Sequence, residues 1–102
     1  MSGNTFAPRD GATVAISAST TSADEAITSG TYQLRIVNPT AVVAFVKTGE
    51  GSALTATSAD FPVAAGESVI IRKPSNHNIV AVILASSTGT VYVTPGEGGV
   101  SA

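Results

Sequence analysis

Tyr32-Gln33-Leu34-Arg35-Ile36-Val37 alternates apolar and polar side chains at every second position. Extended backbone turns successive side chains to opposite faces, so Tyr32, Leu34 and Ile36 are expected on one face and Gln33 and Arg35 on the other. Asn38-Pro39-Thr40 breaks the run with turn-forming residues, and Ala41-Val42-Val43-Ala44-Phe45-Val46-Lys47 follows as a segment apolar on both faces. Sequential strands usually neighbour, so the two are expected to pair as a hairpin.

The same grammar extends in both directions. Upstream, Thr13 to Ala18 reads as a strand with Val14 and Ile16 on one face, whereas the polar stretch Ser19 to Ile27 has no stripe and reads as a loop. Downstream, Leu54-Thr55-Ala56-Thr57 is a weak strand, and Asp60-Phe61-Pro62-Val63 an extended linker whose Phe is expected to be buried. Ser68 to Lys73 is a strand, Pro74 to Asn78 a loop, and Ile79 to Ala85 the most apolar strand. Ser86-Ser87-Thr88-Gly89 is expected to close a hairpin into Thr90 to Thr94. Short strands with turn signals roughly every 8–12 residues predict an all-β fold: a single antiparallel β-sandwich, jelly-roll-like or Ig-like. Its core candidates are Val14, Ile16, Leu34, Ile36, Val43, Phe45, Phe61, Ile70, Val80, Val82, Leu84, Val91 and Val93. Gly3, Asn4, Pro8, Asp10 and Gly11 break any periodicity before it, so residues 1–12 are expected as an extended N-terminal arm, 13–95 as the domain and 96–102 as a Gly-rich tail.

Composition limits the chemistry. The 102 residues hold no Cys, no Trp, one His and 12% charged side chains, against about a quarter in average domains. Net charge is −2, and the five basic residues show no stripe able to neutralise several phosphates, so no nucleic-acid partner is expected. The first ten residues lack the basic and apolar regions of a secretory signal, and no apolar run approaches a bilayer span. The expectation is a protein made in a cytoplasm, with no membrane partner.

Each candidate reactive group has a plainer reading. His77, flanked by Asn76 and Asn78, has no Gly-x-Ser-x-Gly elbow to serve and is expected as a surface loop residue. One His without Cys cannot build a standard zinc site, so no metal, cofactor or catalytic residue is assigned. The carboxylates Asp10, Asp24, Glu25, Glu50, Asp60, Glu67 and Glu97 fall mostly in turns, where solvated charge is the ordinary reading. Phe6 is different, because an aromatic on a polar arm has no local core to join. With Pro8 and Arg9 it forms the candidate interface.

Three stretches then carry a resemblance: Ile36-Val37-Asn38-Pro39-Thr40, Asp60 to Glu67, and Ala85 to Gly98 with its Tyr92-Val93-Thr94-Pro95-Gly96-Glu97. Together they resemble small β-rich virion proteins of tailed bacteriophages, the capsid decoration or cement proteins, over residues 32–98. The resemblance implies a non-enzymatic β-sandwich on the capsid exterior that reinforces the shell by bridging major capsid protein subunits, itself a homodimer or homotrimer. Its motifs are turn residues and Val/Thr strands, and no family binding residue maps onto them. A head–tail connector, a tail protein and a small carbohydrate-binding module remain the alternatives.

Overall fold

A computed structural model describes the backbone of residues 4–9 and 11–100, and the side chains within 8–9 and 11–97. Among these residues there are nine strands and no helix: β1 (Asn4–Pro8), β2 (Val14–Ala18), β3 (Ala23–Ala26), β4 (Gln33–Val37), β5 (Ala44–Gly49), β6 (Phe61–Val63), β7 (Ser68–Arg72), β8 (Ile79–Leu84) and β9 (Gly89–Val100). Two antiparallel sheets pack face to face. The first runs β2-β9-β4-β7, with β1 continuing the β2 edge along β9; the second runs β3-β8-β5-β6.

Pairing is nested. β5 pairs with β6, β4 with β7, β3 with β8 and β2 with β9. The chain is thus one long antiparallel hairpin, with its tip at β5–β6, wrapped so that successive rungs alternate between sheets. This eight-strand wrap is the jelly roll, and it settles the choice against an Ig-like order.

Nested pairing overturns both expected hairpins. β4 and β5 lie in opposite sheets, as do β8 and β9, because the segments 38–43 and 85–88 cross between sheets instead of turning back within one. Residues 23–26, expected within a loop, form β3 by pairing with β8. Residues 54–57 make no strand, while the expected linker at 61–63 is the edge strand β6. The N-terminal arm and the C-terminal tail meet: Asn4–Pro8 pairs with Gly96–Val100, so β9 runs past the expected boundary at 95. The edge is interrupted between β1 and β2, with Gly11 at φ 76°, a left-handed conformation that favours glycine.

The core holds Ile16, Leu34, Ile36, Val80, Val82, Leu84, Val91 and Val93, as the alternation predicts. Burying side chains of this size contributes about 1.5–3 kcal/mol each before entropy is counted. Val14 packs against this core half-buried, and the other four candidates fall elsewhere. Ala44 and Val46 face the core, which turns Val43 and Phe45 away into half-buried positions. Val69 and Ile71 point inward, leaving Ile70 49% exposed. Phe61 sits at the open end of edge strand β6 and is 45% exposed. Continuous apolar runs carry no parity signal, so a one-residue error flips the face.

The two outer faces differ. Ile79 and Ala81 point away from the core of the second sheet, yet both are buried. The segment after β5 lies over them: Gly51 N–H donates to Asn78 Oδ1 at 3.0 Å, Leu54 N–H to Asp24 Oδ2 at 2.8 Å and Ala56 N–H to Ser22 Oγ at 2.8 Å. These bonds carry it from β5 across β8 to β3. Among the described residues the first sheet has no such cover.

Candidate functional site

The uncovered face presents the outward positions of four strands. Cross-strand register places Arg35 opposite Ile70 on one side and Thr94 on the other. Thr13 completes this rung, its hydroxyl 2.8 Å from that of Thr94. At the far end, the interruption between β1 and β2 brings up Pro8, Arg9 and Gly11, held where Arg9 N–H donates to the Pro95 carbonyl at 2.9 Å. Together these residues line a groove of about 540 Å³. Spanning four strands at about 4.8 Å spacing, the rung is about 14 Å long.

Its chemistry is cationic with an apolar end. The outward positions Ala15, Ser17, Gln33, Arg35, Val37, Ser68, Ile70, Arg72, Tyr92 and Thr94 include two arginines and no carboxylate, on a chain of net charge −2. The Arg35 guanidinium donates to Ser68 Oγ at 3.4 Å, a long contact weaker than a carboxylate would make with its fork. Tyr92, 42% exposed, stands one rung along the same face.

Of the candidate interface residues, Pro8 and Arg9 are brought together in this groove. The backbone of Phe6 pairs with Gly98, and its side chain lies outside the described residues. The partners Arg35, Thr13 and Thr94 carry no site signal in the sequence, and Ile70 is expected there in the core instead. Outward parity was readable for Arg35, but the shared rung depends on pairing between segments far apart in the chain.

Several other polar groups serve the fold. Asn38, fully buried, donates from Nδ2 to the carbonyls of Val42, Val63 and Ala64 at 2.9, 3.0 and 3.2 Å, and its Oδ1 accepts from the Thr40 hydroxyl at 2.6 Å. Another buried polar group, Lys73 (2% exposed), donates to the carbonyls of Thr31, His77 and Pro74 at 2.8, 3.1 and 3.4 Å. Burial lowers the Lys73 pKa below its ordinary 10.5, opposed by the negative charge of Glu97. His77, expected at the surface, is half-buried with Nδ1 2.8 Å from the Thr48 hydroxyl. Asp60 accepts from Thr57 N–H at 2.7 Å and Glu50 from Asn76 Nδ2 at 2.7 Å, so both carboxylates bind loops. Among the described residues no three His, Cys, Asp or Glu gather as a metal site would require.

No family model, no curated protein and no solved structure matches the chain.

Proposed function

We propose that the protein is a non-enzymatic structural component of a tailed-bacteriophage virion, a decoration protein that stabilises the capsid exterior by bridging major capsid protein subunits. The observation that carries this reading is the asymmetry of the sandwich: the chain's own 50–56 segment lies over part of one outer face, while the other is open and grooved and, among the described residues, free of carboxylates. A one-sided tile of this kind suits docking on a larger surface. Supporting it are the low charge, which leaves little to desolvate, the resemblance over residues 32–98, and the jelly roll, an architecture that capsid proteins share with lectins. Phe6, Pro8 and Arg9 lie on the strand edge beside the open face and are assigned to the interface. Self-association as a dimer or trimer on a symmetry axis completes the proposal.

The test is location. Purified protein is mixed with heads lacking it, and occupancy is read by electron microscopy together with heat resistance of the particle. Saturable binding to the outer surface with increased heat resistance supports the reading, and absence from heads refutes it. Tyr32 and Tyr92, 50% and 42% exposed, favour a second reading as a carbohydrate-binding module, which glycan-array binding would select instead.

A further inference from the structure

We propose that the groove across the open sheet seats an extended segment of the partner protein, carrying an apolar residue followed two positions later by a carboxylate. This rests on the reading of the protein as a docking module and names what its partner must present. The argument begins with dimensions. A rung about 14 Å long accommodates about four residues of extended chain at 3.4 Å each, and in such a chain residues two apart point to the same side. An apolar side chain set on Ile70 therefore directs its neighbour two along towards Arg35 and the Thr13–Thr94 hydroxyls, with Arg9 beyond.

Charge selects the occupant. Arg35 and Arg72 share an outward face that shows no carboxylate among the described residues, although the chain carries seven acids to five bases. Asp24, Glu50 and Asp60 are already held by loop donors, so they are poor acceptors for a second copy of this chain. A carboxylate meets the arginine fork with two parallel hydrogen bonds, and the half-exposed Ile70 gives an apolar neighbour something to cover. A nucleic acid would need a longer run of cations and stacking rings than one rung supplies.

The test uses the whole chain labelled with nitrogen-15 and a synthetic probe, acetyl-Leu-Thr-Glu-Thr-Glu-amide. Titration should shift the amides of Arg35, Ile70 and Thr94 saturably. The Leu-Thr-Gln-Thr-Gln counterpart and the Arg35→Gln variant should each weaken binding by about fivefold or more. Arg35 points into solvent, so the variant's spectrum should otherwise match that of the wild type. The proposal is overturned by absence of saturable shifts up to about 10 mM probe, by equal affinity for the Gln peptide, or by tighter binding of an oligothymidylate at the same amides. Peptide binding without head binding would support the groove and refute the capsid role. Heads that take up Arg35→Gln as well as wild type, with the peptide silent, would overturn the groove and leave the capsid role standing.

Discussion

The side-chain amide of Asn38 donates to the carbonyl of Val63 at 3.0 Å, joining the end of β4 in one sheet to β6 in the other. Two amide hydrogens serve three carbonyls, and Oδ1 takes the Thr40 hydroxyl, so the crossings 38–43 and 64–67 are fastened by one buried side chain. Asn38→Ala strands these partners away from water, and each unsatisfied buried group costs about 1–3 kcal/mol. The expected loss is about 3 kcal/mol or more in urea unfolding, with non-additive coupling to Thr40→Ala in a double-mutant cycle. A loss under about 1 kcal/mol would show that solvent reaches these groups.

Gly89 opens β9 against the same crossing. A Cβ built there collides with Cγ2 of Thr40, whose hydroxyl is committed to Asn38. Gly89→Ala should therefore destabilise the protein by about 1–3 kcal/mol through overpacking. Thr40→Ser removes the methyl and keeps the hydroxyl, so it should recover most of that loss when combined with Gly89→Ala. Failure of the pair to recover in thermal unfolding would place the glycine requirement elsewhere.

Lys73 gives the stability curve an alkaline slope. Desolvation lowers its folded pKa below the 10.5 of the unfolded chain, with Glu97 opposing. Between those two values the unfolded chain holds more protons, so unfolding free energy rises with pH there. Below the folded pKa the cost of the buried cation is fully present, and it is relieved as pH climbs towards 10.5. The Lys73→Met variant should lack this rise, so wild type minus variant should increase with pH through that window. A flat difference in denaturant titrations would refute the assignment.

The elements legible in the sequence are those with local signals. Alternation in Gln33 to Val37 located β4 and its buried pair Leu34 and Ile36. The run Ile79 to Leu84 located the strand buried on both faces, though not its reason, which is the 50–56 segment lying over Ile79 and Ala81. Val69-Ile70-Ile71 and Val42 to Val46 were illegible in parity because every position is apolar. β3 was missed because Ala23-Asp24-Glu25-Ala26 has no β-branched residue; β8 and the Asp24–Leu54 bond hold it extended. The groove was beyond local reading for a similar reason, since Arg9, Arg35 and Ile70 meet only through nested pairing.

The ribbon of β1 with the end of β9 can be separated from the jelly roll. β1 pairs with β9 alone, through residues 96–100, whereas β9 also pairs with β2 through 89–93 and with β4 through 92–96. Deleting residues 1–11 removes one strand partner from the last turn of β9 and leaves every nested pair intact. The truncated chain should unfold cooperatively, keep amide protection at 89–95 and lose it at 97–100, since an unpaired edge exchanges by local opening. It should also bind the acidic peptide more weakly, because Pro8 and Arg9 leave the groove. Retention on heads should fall in parallel if the groove is the contact. Loss of protection throughout β9 would mean that the ribbon nucleates the sheet, and unchanged peptide affinity would exclude Arg9 from the site.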